Sequence, residues 1–133
     1  MLPVAMSEKV AVVRRWVELY NDRGDVTEFL SLLDPEVELQ TPGGPRLHGH
    51  DEARAWFEKE PENVQSRLIS ERFIEEGEVV AALGRAEVRW IESGELAHES
   101  ESAAVFWFRD GKVLRWQPFQ TRDAALKAAG LAV

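Results

Sequence analysis

The chain contains no cysteine, which excludes disulfide staples, thiolate nucleophiles and Cys-ligated zinc or iron–sulfur centres. Histidine is scarce as well, with 3 in 133 residues, two of them in the turn His48-Gly49-His50. A lone His-x-His beside Asp51 lacks the further spaced ligands of a zinc or iron site, so no metal is expected. His48 reads as a loop-closing residue and His50 as one placed near a helix N-terminus. Positive charge is in deficit: 16 basic against 24 acidic residues give a net charge of −8, and no basic cluster is longer than Arg14-Arg15. Nucleic acid and anionic membrane surfaces are therefore poor partners. No apolar run approaches the roughly 18 residues that span a bilayer. Met1 to Met6 lacks the basic and long apolar regions of a secretory signal, and a cytoplasmic protein is expected.

What is present suffices for one hydrophobic core. With 44% hydrophobic residues, positions 1–133 read as a single domain, with 1–6 as a disordered tail. Ser7 caps a first helix in which Val10, Val13, Val17 and Tyr20 recur at helical spacing, Val12, Trp16 and Leu19 widen the apolar face, and Asn21 to Gly24 end it. Asp25 with Glu28 reads as a capping-box variant for a second helix through Phe29, Leu30 and Leu33, stopped by Asp34-Pro35. Val37 to Thr41 alternates as a short strand, and Pro42-Gly-Gly-Pro45 turns the chain toward a third helix with Ala53, Trp56 and Phe57. Strands follow near 65–75, 78–91, 97–109 and 112–119. The last two meet at Arg109-Asp110-Gly111-Lys112, where Asp-Gly supplies the positive φ angles of a tight hairpin. A short Ala-rich helix closed by Gly130 ends the pattern.

This order, and the phrases Tyr20-Asn-Asp-Arg-Gly-Asp25, Leu33-Asp-Pro-Glu-Val37, His48-Gly49, Phe108-Arg-Asp-Gly-Lys-Val113 and Asp123-Ala-Ala-Leu-Lys-Ala-Ala-Gly-Leu131, resemble the SnoaL-like branch of the nuclear transport factor 2-like superfamily. The resemblance implies an α+β cone. Three N-terminal helices would pack on a curved antiparallel sheet that encloses a pocket, followed by a short C-terminal helix. It also implies that Leu114, Trp116, Pro118 and Gln120 face inward on the last strand, as do His98, Ser100, Ser102, Ala104, Phe106 and Phe108 on the one before. Glu99, Glu101 and Trp107 then lie outside. Trp16, Tyr20 and Trp56 would wall the pocket from the helices, and Thr41 would reach it from the early strand.

Arg85 and Glu87, two apart on one strand, emerge on the same face, where a guanidinium can hold and orient a carboxylate. The segment resembles limonene-epoxide hydrolase, whose Arg-x-Asp on the matching strand serves an acid–base relay around a water. The alternative is a solvent-side charge ladder, because Val80, Ala82, Ala86, Val88 and Trp90 form the more apolar face. The hydrolase's second acid falls on Pro118 and its water-holding positions on Leu39 and Thr41. The base and oxyanion donors of ketosteroid isomerase fall on Thr41, Trp16 and Ala104, so that activity is not expected.

Two functions stay open. One is a cofactor-independent enzyme of isomerase, hydrolase or cyclase type, acting on a small, largely apolar metabolite by proton transfer or water addition. Arg85 and Glu87 would be its catalytic pair, with Trp16, Tyr20, Thr41, Trp56, His98, Phe106, Trp116 and Gln120 around the ligand. The other is a non-catalytic ligand-binding or dimerisation module. A homodimer through the sheet is expected from Trp90, Trp107, Val105 and Val88, read as apolar residues of its outer face.

Overall fold

Local signals in the sequence set the helix starts. Ser7 caps α1 (Glu8–Asp22), its side-chain oxygen accepting from the Val10 N–H, and Asp25 caps α2 (Val26–Ser31), accepting from the Glu28 N–H. The capping box is only half formed. The Glu28 carboxylate turns to Arg15 at 2.7 Å, and that hydrogen bond holds it below its ordinary pKa. The computed structural model describes residues 7–41 and 43–131, so the expected tail at 1–6 and Pro42 of the expected turn lie outside the described residues.

After α2 come β1 (Leu33–Gln40), β2 (Arg46–His48), α3 (Gly49–Glu58), β3 (Val64–Glu76), β4 (Val79–Trp90), β5 (Leu96–Arg109), β6 (Lys112–Phe119) and α4 (Arg122–Ala128). The strands form one sheet in the order β2-β1-β6-β5-β4-β3, antiparallel except where β1 runs parallel to β6. Asp110 and Gly111 take positive φ in the β5–β6 hairpin, as the sequence requires.

The expectation that Asp34-Pro35 ends a helix is corrected: both residues lie in β1. The helix stops at Ser31, and Val113 on β6 donates to the Leu32 carbonyl at 2.9 Å, drawing the chain into the sheet. Pro35, which has no N–H to give, falls where the β1–β6 register shifts between Leu33 and Glu38. Asp34 is buried, gripped by the Arg109 guanidinium at 2.7 and 3.0 Å and by the Glu36 N–H at 2.8 Å. Arg109 first, and the backbone N–H second, hold its carboxyl below the usual aspartate range.

The sheet has two covered faces. On the inner face, α1, α2 and α3 contribute Val13, Trp16, Leu19, Phe29, Ala53 and Phe57 to a core with Val80, Ala82, Ala104, Phe106 and Trp116. On the outer face, Ala125, Leu126 and Leu131 of the C-terminal segment close over Ala81, Leu83, Ala103 and Val105. The expectation that Val88, Trp90, Val105 and Trp107 share the outer face is therefore corrected. Val88 and Trp90 lie on the inner side of β4, alternating with Arg85 and Glu87 on its outer side, whereas Val105 and Trp107 lie on the outer side of β5. Val105 is fully buried and Trp107 carries the Arg115 guanidinium 4.6 Å above its ring.

Irregularities in pairing redirect two positions. A bulge opposite Trp107 and Phe108 leaves Leu114 as the extra residue of β6 and turns Val113 into the inner core, against the simple alternation expected for that strand. A second bulge lies between Ser70 and Arg72 on β3, and there the β3 backbone closes on Gly84. A Cβ on Gly84 would sit 1.8 Å from the Ile69 carbonyl oxygen. Asn21, at the end of α1, fastens the helix to edge strand β3 by giving and taking a hydrogen bond with the Leu68 backbone, each at 2.8 Å.

Candidate functional site

An aromatic stack fills the narrow part of the cone. Trp16 is fully buried and lies 5.6 Å from Tyr20, 5.2 Å edge-on to Phe106 and 4.9 Å from Trp116, centroid to centroid. Trp56 from α3 packs 5.7 Å from both Tyr20 and Trp116. The helical spacing of Trp16 and Tyr20 brings both rings onto one side of α1, so the stack runs outward from the core to a half-buried tyrosine.

Beyond that stack, where β6 ends and β5 continues, a cavity of about 420 Å³ opens. Its wall takes Tyr20 from α1, Gln40 and Thr41 from the end of β1, Ser66 and Leu68 from β3, Ala86 from β4, Ser100, Ser102 and Ala104 from β5, and Trp116, Pro118 and Gln120 from β6 and its exit. Of the expected site residues, Tyr20, Thr41, Trp116 and Gln120 meet here. Trp16, Trp56 and Phe106 stand behind the wall as packing. His98 is exposed on β5 and is not part of the wall. Ser66, Ala86 and Gln40 were not singled out in the sequence. For Ser66 and Ala86 the signal is alternation with the charged Arg67, Arg85 and Glu87, which identifies a face but not a cavity; Gln40 shares its face of β1 with Glu38 and carries no such signal.

Arg85 and Glu87 take the charge-ladder arrangement. Pairing of Arg85 with Glu101, and of Glu87 with Glu99, puts them on the outer side of the sheet. There Arg85 reaches Glu87 and Glu99, each at 3.2 Å, and Arg89 reaches Glu87 at 3.4 Å. A catalytic pair facing the cavity is not what this strand presents; the apolar alternation of Val80, Ala82 and Ala86 decides which side turns inward.

The polar groups of the cavity are mostly neutral. The Thr41 hydroxyl donates to the Pro45 carbonyl at 2.7 Å, so toward the cavity it can only accept. Burial pushes the Tyr20 phenol up, opposed by Arg23, whose guanidinium carbon lies 5.4 Å over the ring, and by a hydrogen bond with Ser66. Tyr20 is thereby kept as a neutral hydroxyl. The indole N–H of Trp116 is buried without an acceptor among the described residues, as is that of Trp16. Glu101 borders the cavity, but its carboxylate lies on the outer side of the sheet, where it accepts from the Arg122 N–H at the start of α4.

The remaining histidines are held by structure. His48 pairs with Glu36 at 3.1 Å in solvent, while its backbone N–H donates to Glu52, and His50 donates to the Leu33 carbonyl at 3.0 Å. Among the described residues no group of three or more His, Asp or Glu is arranged to hold a metal ion, and no helix is long and apolar enough to cross a membrane.

Comparison with known proteins agrees with this architecture. The SnoaL-like domain model matches residues 13–116. A nuclear transport factor 2-like protein of unknown function from Burkholderia pseudomallei superposes with a TM-score of 0.74 at 26% identity, over 93% of this chain and 98% of that one. A candidate polyketide cyclase from Pseudomonas putida gives 0.71 at 19% identity, over 97% and 100% of the two chains. An LEH-like epoxide hydrolase from M. tuberculosis gives 0.69 at 14% identity, over 92% and 89%. No curated protein matches the sequence significantly.

Proposed function

We propose that this chain, which belongs to the SnoaL-like domain family, binds a small, largely apolar molecule in the cavity at the mouth of the cone and acts as a binding module. The observation that carries this reading is the composition of the cavity wall. Aromatic and aliphatic side chains alternate with hydroxyls and amides, and the acid–base pair expected from the sequence, Arg85 with Glu87, is neutralised on the other face of the sheet. A volume of about 420 Å³ falls within the range of small-ligand sites, roughly 300–1,000 Å³.

Direct titration tests the reading. 2-Acetylnaphthalene should bind the chain one to one, and Ala86→Phe, which fills the cavity from β4, should abolish that binding while the circular dichroism spectrum stays unchanged. Saturable binding that persists in Ala86→Phe would place the ligand elsewhere.

A second reading, hydrolase or cyclase chemistry of the kind that the solved relatives' descriptions name, would rest on Glu101, the one carboxylate residue bordering the cavity among the described residues, whose side chain would have to leave Arg122 and turn inward. It predicts turnover of a bound substrate that Glu101→Gln removes without loss of affinity. Unchanged turnover in that variant would dismiss Glu101 as the acid or base.

A further inference from the structure

We propose that Ser100 and Ser102 of β5 are the specificity-determining residues of the cavity, and that they select an uncharged ligand which turns a hydroxyl or carbonyl oxygen toward this strand. The inference rests on the binding reading above and supplies the polar half of the ligand.

The other polar side chains inside the cavity are already engaged within the protein. The Thr41 hydroxyl donates to the Pro45 carbonyl at 2.7 Å, and the Gln40 amide donates to the Thr41 and Gly44 carbonyls, each at 3.2 Å, while its oxygen accepts from Arg46 at 3.4 Å. Tyr20 and Ser66 are hydrogen-bonded to each other. Gln120 stands exposed past the end of β6, at the rim. Ser100 and Ser102 differ, because among the described residues neither hydroxyl has a hydrogen-bond partner.

Both hydroxyls are placed where a ligand can meet them. The β4–β5 register runs unbroken from the pair Val79 and Trp107 to the pair Val88 and His98, so Ser100 and Ser102 share the face on which Ala104 and Phe106 enter the inner core. Their Cβ atoms project to the cavity side, and an oxygen one bond beyond Cβ cannot swing through to the other side of the sheet. Opposite them on β4 stand Ala86 and Gly84, too short to cover a hydroxyl or to bond with it. Ser100 is exposed and Ser102 half-buried. The Ser102 oxygen is not among the buried atoms left without a partner, as the indole nitrogens of Trp16 and Trp116 are, so water reaches it and does not reach them. A neighbouring void of about 20 Å³ along Ser102 has room for a single water. A ligand oxygen that meets this hydroxyl therefore lies in the larger cavity.

The rest of the wall sets the ligand's chemistry. Leu68, Ala104 and Trp116 receive an apolar body, and an oxygen that gives up water to enter needs a partner there. A serine hydroxyl both donates and accepts, so it serves a carbonyl or a hydroxyl. No Lys or Arg lines the wall, and the whole chain carries a net charge of −8, which disfavours an anion.

The test compares 2-acetylnaphthalene with 2-isopropenylnaphthalene, a near-isostere lacking the carbonyl oxygen, on the full chain by calorimetry. The ketone should bind about fivefold more tightly, the size expected of one neutral hydrogen bond. The double variant Ser100→Ala with Ser102→Ala should bring that ratio close to one while the hydrocarbon's affinity and the circular dichroism spectrum stay unchanged. Should the double variant fail to fold, the two single variants decide, and at least one of them should lower the ratio. Equal affinities for the two probes in the unsubstituted protein, or a ketone preference that survives loss of both hydroxyls, would overturn the serines and leave the binding reading intact. Binding of neither probe would overturn both.

Discussion

On the inner face of the sheet, Ala82, Ala104, Phe106 and Trp116 meet the aromatic side of three helices and leave room beside Tyr20; on the outer face, Ala81, Leu83, Ala103 and Val105 are sealed by α4. Farther along the outer face stand Arg85, Glu87, Arg89 and Glu99, each ion-paired with a neighbour. Adjacent residues of the same strands thus serve opposite ends. Where large rings meet across a curved sheet they do not fill the wide end of the cone, and a cavity remains. Where small side chains meet a short Ala-rich helix, the surfaces close, and charge beyond the helix is satisfied locally in solvent. Exposed pairs of this kind are worth little to stability, about 0–1 kcal/mol each, so their presence says more about solubility than about chemistry.

The strongest way to break this contrast is to disturb the point where both faces depend on the same backbone. Gly84→Ala places a methyl group on the Ile69 carbonyl, so β3 must move away from β4. The expected loss is about 3 kcal/mol or more, the upper end of overpacking costs, read as a lowered denaturant midpoint. A stability equal to that of the unsubstituted chain would mean that the bulge can relax freely.

Next in size is the tie between α2, β1 and the β5–β6 hairpin. Asp34 has a folded-state pKa below its unfolded value, so its contribution is fully present above about pH 4, the ordinary aspartate value. It is lost as the pH falls through the lower folded value. Asp34→Asn should lower stability at neutral pH and flatten the decline of stability between neutral and acid pH. Parallel acid limbs for the two proteins would show that Arg109 contributes nothing through this group.

The smallest expected effect sharpens the contrast most. Glu87→Gln should leave 2-acetylnaphthalene affinity unchanged within about twofold and stability within about 0.5 kcal/mol, as for ordinary surface substitutions. A large loss of affinity would return Glu87 to the ligand site.

The four long strands β3 to β6, the Asp110-Gly111 hairpin and the Ser7 and Asp25 caps were legible in the sequence, whereas the start of β1 and the short β2 were not. Elements whose identity depends on distant partners were not. Asp34-Pro35 reads as a helix stop until Arg109, 75 residues away, is seen to bury the aspartate in a strand. Val113 points inward because of a bulge that alternation does not encode. The site was legible in part. Alternation grouped Trp116 with Pro118 and Gln120 and the resemblance turned that face inward, but neither can tell a wall from the packing behind it, and Trp16, Trp56 and Phe106 turned out to be packing. Nor does a single strand say which of its faces a later helix will cover. The assignment of Arg85 and Glu87 waited on α4 and the cross-strand pairs.

Backbone and indole chemical-shift changes caused by 2-acetylnaphthalene, mapped on the whole chain, separate the two faces of the sheet. Changes should concentrate at Tyr20, Ser66, Ala86, Ser102 and Trp116, with Arg85, Glu87 and Glu99 unaffected. Changes centred on the outer-face charges, with the cavity wall silent, would contradict binding in the cavity.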